Sequence, residues 1–297
     1  MLFYFARNNL HSAICDLTFL INFNTISSKN ISQRGDNMEK LGLQMYSVRD
    51  FTKTPEETAD AMKQIRAIGY TSIQTAGTPA TVEEAEWYKA AADAVGLAIC
   101  GAHHGWKLLQ EDIETVIAIH RILGTENVGL GIMPLEARGS EEALMDFICA
   151  ANKIVDRLAK AGLKFNYHNH SFEFKKYGDK TMMDILIEKL DPRATFVLDT
   201  YWVQHGGYDI RKMMDRLEGR IDILHLKDMG ACGGEKGNLP YITEIGSGNI
   251  NFDDIIPLGE RIGVGHFVVE QDLNFATGNA MESVRASYDY LKSKFMN

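Results

Sequence analysis

From Leu41 onward the chain alternates short, nearly unbroken apolar runs with longer stretches whose apolar positions recur every three or four residues. The short runs are LGLQMYSV (41–48), TSIQTA (71–76), LAICGAHHG (97–105), ENVGLGIM (126–133), LKFNYHNH (163–170), ATFVLDT (194–200), IDILHLKD (221–228) and GHFVVEQD (265–272). Runs of this kind, without strict polar alternation, are those of parallel strands buried on both faces. The intervening periodicity predicts helices over 55–68, 81–96, 109–123, 140–162, 181–190, 208–219, 251–262 and 280–294. Thr54-Pro55 opens the first with a helix-start signal, and Thr81 and Glu84 have capping-box spacing at the start of the second. Eight strand–helix units with no Pro-, Gly- or Ser-rich linker predict an α/β protein, a single (β/α)8 TIM barrel over 38–297. An open doubly wound sheet normally stops sooner.

Residues 1–37 read differently. Their apolar clusters are broken by Arg7, Asn8, Asn9, Asp16 and Asn24, and neither a helical nor a strand period persists. The segment matches neither a membrane span nor a secretory signal. It is expected to lie outside the domain, and a chain beginning at Met38 is expected to fold like the whole.

Composition narrows the class. Apolar residues make up 45 % and charged residues 24 %, as in a globular protein with a sizeable core. A net charge of −9 with no Lys/Arg block argues against nucleic acid and against an anionic membrane as partners. A small neutral or cation-bridged ligand fits better. The four cysteines, Cys15, Cys100, Cys149 and Cys232, form no CxxC pair, which predicts reduced, mostly buried thiols in a cytoplasmic protein.

Candidate chemistry collects where the later strands end. In a TIM barrel the active site lies at the C-terminal rim. Runs five to eight stop at His168-Asn169-His170, Asp199, His225-Leu226-Lys227-Asp228 and Glu270-Gln271-Asp272. One such terminus is ordinarily structural, but four in succession on one rim can converge. Two imidazoles and two carboxylates suit one divalent ion among Mn, Fe, Co, Zn and Mg, and the lack of thiolates argues against a closed structural zinc. Strand alternation sends His168 and His170 to one side and Asn169 to the other. His168 is then the ligand, His170 the group above it facing substrate, and Glu173 a partner that holds an imidazole in one tautomer at the edge of the substrate pocket.

Across 38–297, the motifs YHNHSFEF, LDTYWV, HLKDM, EIGSGNINF and VVEQD resemble, in order and spacing, the xylose-isomerase-like sugar phosphate isomerase/epimerase superfamily. The resemblance implies a metal-dependent barrel whose ligand tetrad is His168, Asp199, His225 and Glu270. His168 stands where many relatives carry glutamate, Trp202 where a histidine is common, and Gln74 where a strand-two glutamate is common. The YHNH, HLKD and VVEQD combination also resembles the inosose dehydratase branch.

Further pocket candidates are Gln44 and Tyr46 on the first strand, His103 or His104 on the third, and Trp106 and Trp202 as an apolar wall. Only one of the paired histidines can face inward. Gly246-Ser247-Gly248 reads as a turn first and as a phosphate loop second.

These residues predict a divalent-metal enzyme acting on a small keto-sugar or polyol through an enediolate, with Glu270 and His170 handling protons and Lys227 giving electrostatic support. An imidazole ligand at 168 leaves one ligating carboxylate for proton transfer, so elimination is expected to outrun epimerisation. The rivals are an AP-endonuclease-like nuclease, disfavoured by charge, and a metal-free sugar-binding barrel.

Overall fold

The computed structural model describes residues 41–232 and 239–296. The expectation for residues 1–37, Cys15 included, lies outside them.

Eight parallel strands close into a barrel: β1 (Gly42–Gln44), β2 (Ser72–Ala76), β3 (Ala98–His104), β4 (Asn127–Leu130), β5 (Lys164–His168), β6 (Thr195–Asp199), β7 (Ile221–Leu226) and β8 (His266–Val269). They follow one another around the ring, and β1 pairs with both β2 and β8. The helices are α1 (Pro55–Ile68), α2 (Val82–Val95), α3 (Trp106–Glu111), α4 (Ile113–Leu123), α5 (Glu141–Lys160), α6 (Met182–Lys189), α7 (Thr200–His205), α8 (Ile210–Arg216), α9 (Phe252–Ile262) and α10 (Ala280–Phe295). This is the predicted TIM barrel. The Thr81–Glu84 capping box forms with both reciprocal hydrogen bonds, and Thr54 caps α1 ahead of Pro55.

Several boundaries differ from the periodicity for local reasons. The first strand stops at Gln44, whose side chain accepts the Tyr46 N–H, and Met45–Phe51 turns into 3-10 geometry. The predicted helix 109–123 is two helices, because the Asp112 carboxylate accepts the Thr115 N–H and starts a new one. Asp199 ends β6 and caps α7 in the same residue. Two short antiparallel hairpins, Lys176–Tyr177 with Lys180–Thr181 and Asp228–Ala231 with Pro240–Thr243, have no counterpart in the periodicity.

Between strands and helices lies one large apolar core, with a second cluster of Cys100, Val197, Ile223 and Val268. Val197, Ile223 and Val268 each precede a predicted ligand by two residues (Asp199, His225, Glu270), and side chains two apart on a strand share a face. The cluster is therefore the floor of the site. Of the three described cysteines only Cys100 is buried; Cys149 and Cys232 are exposed, contrary to the expectation of mostly buried thiols. No helix among the described residues is long and apolar enough to cross a membrane.

Candidate metal centre

Register does the first part of the assembly. Asp199 pairs with His225 across β6 and β7, and the Glu270 N–H continues the β7–β8 ladder onto Leu226. The Asn169 side chain, facing away from its histidine neighbours, accepts the Asp199 N–H at 2.9 Å and ties β5 to β6. His168, Asp199, His225 and Glu270 are all buried and bring one ligand atom each within 4.8 Å of the others.

The donor atoms are prepared on their far sides. Nδ1 of His168 lies 3.0 Å from the Gly131 carbonyl oxygen, so that nitrogen carries the proton and donates it. Nε2 then points a lone pair inward, 3.6 Å from Asp199 Oδ2 and 3.9 Å from Glu270 Oε2. Nε2 of His225 donates to Gln74 Oε1 at 2.5 Å, leaving Nδ1 to face Glu270 Oε2 at 2.9 Å and Asp199 Oδ2 at 3.7 Å. His168 Nε2, His225 Nδ1 and Asp199 Oδ2 are buried with no hydrogen-bond partner. Buried polar atoms are nearly always paired. His225 Nδ1 has the Glu270 carboxylate beside it, but His168 Nε2 and Asp199 Oδ2, with no polar neighbour across the centre nearer than 3.6 Å, require an explanation. A divalent ion supplies it: ligands held at ~2.0–2.3 Å from one ion stand roughly 3–4 Å apart. The donor set fits.

A glutamine network braces the centre. The Gln44 amide donates to Gln74 Oε1 at 2.8 Å, and the Gln74 amide meets His103 Nε2 at 2.9 Å. Gln74 is fully buried. Its part as a brace lies beyond the sequence expectations; the available signal is an inward-facing amide inside an apolar strand. Gln74→Met removes the acceptor that orients His225 and should lower metal affinity ~10–100-fold, the usual cost of losing an outer-shell partner. Isothermal titration of the folded variant checks this, and unchanged affinity contradicts the bracing role.

The other expected residues take varied places. His103 stacks on His168 with ring centroids 5.1 Å apart, and a Cβ on Gly129 would come within 2.3 Å of its ring, so glycine makes room for it. His104 takes the opposite direction and meets His120 Nε2 at 2.9 Å. Gln44, expected on the pocket wall, is fully buried against Gln74 a layer below. Glu173, expected to hold an imidazole, instead accepts the Tyr167 hydroxyl at 2.8 Å and the His170 backbone N–H at 2.9 Å. It shapes the loop after β5, and burial pushes its carboxyl up to about 7. Trp202 lies behind His170, ring centroids 5.4 Å apart, rather than on the cleft wall.

A cleft of about 640 Å³ opens above the centre, lined by Tyr46, His103, Trp106, Ile132, Pro134, His168, His170, Lys227, Glu270 and Asp272, among others. The His170 ring sits 4.7 Å from that of His168, and its Nδ1 is buried without a partner. Lys227 Nζ touches Asp272 Oδ2 at 2.6 Å, Glu270 Oε2 at 3.3 Å and Asp199 Oδ2 at 3.6 Å.

Electrostatics derive from burial and this clustering. Burial holds His170 down at about 3, so its imidazole is neutral. Burial also opposes the charged form of Lys227, but the three carboxylates outweigh it and raise the ammonium above its ordinary range. For His225 burial is again outweighed, by Glu270 and Asp199, and the ring is held at about 9. An ion needs the neutral imidazole. Below pH 9 each ion bound should therefore displace one proton, and apparent affinity should fall about tenfold per pH unit as pH drops. Titrations at pH 7.5 in buffers of different ionisation enthalpy should show about one proton released per ion; no release contradicts the ligand role of His225.

Fold and site together define a TIM barrel with a buried two-histidine, two-carboxylate centre able to hold a divalent ion under an open cleft. Residues 62–294 match the family described as Xylose isomerase-like TIM barrel, and the chain belongs to that family. A sugar phosphate isomerase/epimerase from Parabacteroides distasonis ATCC 8503 superposes with a TM-score of 0.68 at 23 % identity, over 87 % of this chain and 96 % of that one. The probable 3-DHS dehydratase involved in petrobactin synthesis from Bacillus anthracis superposes at 0.67 and 17 % identity, over 86 % of this chain and 99 % of that one. Both likenesses are of fold. The inosose dehydratase of Geobacillus kaustophilus (strain HTA426) is 34 % identical over 89 residues, which are 30 % of this chain and 27 % of that protein. The chain thus matches little more than a quarter of that relative's length.

Proposed function

We propose that this protein is a divalent-metal-dependent enzyme of the sugar isomerase/epimerase type that removes a proton beside the carbonyl of a small keto-sugar or polyol-derived ketone. The observation that carries the reading is the convergence of four buried donor atoms, one each from His168, Asp199, His225 and Glu270, within 4.8 Å of one another beneath a cleft that also holds His170. His168, Asp199, His225 and Glu270 would hold the ion, which supplies a Lewis acid for a substrate oxygen. Manganese or magnesium suits the two carboxylates, and zinc, iron or cobalt the imidazoles.

The chain's own residues decide the course of the reaction once that proton is removed. Glu270 and Asp199 are engaged by Lys227 and face the centre, and His103 is tied through Nε2 to the Gln74 amide, which leaves His170, whose ring lines the cleft, as the base. A neutral imidazole accepts a proton before it can give one. His170 therefore takes the α-proton, and the C–H electron pair becomes the new C=C bond as the β C–O bond breaks. The departing oxygen keeps its electron pair and collects that same proton from His170. The proton handling expected of Glu270 and His170 together thus falls to His170 in both parts. Lys227 holds the carboxylates in place and its positive charge favours developing negative charge on oxygen. A single shuttling base favours elimination of water or an alcohol over epimerisation, which needs a donor on the opposite face.

The test is a panel of keto-sugars and inososes offered to the Mn²⁺-loaded protein in deuterated water. An unsaturated ketone, with release of water or an aglycone, supports elimination. Rapid interconversion of a ketose with its epimer, with no such loss, puts the plain isomerase reading in its place.

A further inference from the structure

We propose that the cleft selects an uncharged sugar and excludes sugar phosphates, because the protein's own Asp228 fills the loop where a barrel of this kind would bind phosphate. The inference rests on the sugar-enzyme reading above and narrows its substrate class. Phosphate groups in TIM barrels are frequently held by the loops after the seventh and eighth strands, through backbone N–H groups that form an anion-binding hollow.

Here the loop after β7 contains such a hollow, and it is occupied from within. Asp228 Oδ1 accepts the N–H groups of Met229 at 2.8 Å and Ile250 at 3.1 Å, and Oδ2 accepts those of Gly246 at 2.9 Å and Gly248 at 3.0 Å. The carboxylate is fully buried. Gly248 is packed so closely on it that a Cβ there would lie 2.3 Å from Asp228 Oδ1 and 2.7 Å from the Met229 carbonyl oxygen. The Gly-Ser-Gly stretch thus serves an internal anion, and its amides have no capacity left for a substrate phosphate.

The cleft offers no substitute. Among the described residues lining it, Lys227 is the sole Lys or Arg, and its ammonium is already shared by Asp272, Glu270 and Asp199. Two of those carboxylates, Glu270 and Asp272, themselves face the cleft. A bound divalent ion would have its two charges matched by Asp199 and Glu270. A phosphate dianion would therefore find neither an uncommitted cation among the described lining residues nor an amide cradle. An uncharged ring instead meets the apolar surfaces of Trp106, Ile132 and Pro134.

The test uses the Mg²⁺-loaded full chain, with inorganic phosphate and fructose 6-phosphate as probes, read by ³¹P NMR titration and by thermal shift against chloride at matched ionic strength. Neither probe should show saturable binding tighter than about 1 mM. Asp228→Gly opens the hollow, and phosphate should then raise the Tm of the variant while leaving that of the wild type unchanged. Saturable sub-millimolar binding of either probe to the wild type overturns the proposal, and so does a folded D228G that gains nothing from phosphate. If D228G fails to fold, the wild-type titration decides alone. Because these readouts need no turnover, they separate from the reading of function. Binding of fructose 6-phosphate by a protein that eliminates from keto-sugars sinks this inference only. A protein inert toward every sugar, yet blind to phosphate, sinks only the function.

Discussion

Asp199→Asn is expected to leave the barrel folded and to remove stoichiometric divalent-metal binding. The two oxygens of Asp199 have separate tasks. Oδ1 accepts the Trp202 N–H at 3.0 Å and caps α7, a task the asparagine oxygen can perform. Oδ2 points at the centre with no hydrogen-bond partner, and there the variant places an amide that donates instead of accepting. A charge and a ligand disappear together, while Asn169 still fixes the backbone at position 199. The loss in affinity should exceed the ~10–100-fold of an outer-shell change. Metal content after dialysis, with circular dichroism on the same sample, checks both halves. One ion per chain retained in the folded variant would remove Asp199 from the centre.

The second large effect is expected at His170. Its ring carries none of the four converging donor atoms, yet lines the cleft beside His168. His170→Ala should therefore reduce turnover ~10²–10⁴-fold, the usual worth of a positioned acid–base group, while metal stoichiometry stays at that of the wild type. The backbone N–H of residue 170 still reaches Glu173 in the variant, so the loop should hold. A variant that loses metal in proportion to turnover would make His170 a support of the centre and not the proton carrier.

The rim is legible in the sequence because each later strand is an apolar run closed by an imidazole or carboxylate, and strand alternation sorts those groups into inward and outward. That logic separates His168 from Asn169 and His103 from His104 correctly. It says nothing of depth. Gln44 faces inward as alternation requires, but at a level where Gln74 covers it, and Tyr46 leaves the sheet once Gln44 turns the chain. Glu173 is recognisable as a partner, but which donors it meets depends on the short 3-10 turn at Phe172–Phe174, which has no periodic signature. The network through Gln74 joins strands far apart in sequence, so no local pattern carries it. The hairpins are hidden for a simpler reason: strands of two to four residues are too short to show a period.

The central claim is that these four side chains hold one ion, and anomalous diffraction at the metal edge from crystals grown with Mn²⁺ tests it most directly. The expected result is one peak at ~2.0–2.3 Å from His168 Nε2, Asp199 Oδ2, His225 Nδ1 and Glu270 Oε2. A Mn²⁺ peak elsewhere on the barrel, or those four side chains turned away from one another, would contradict it.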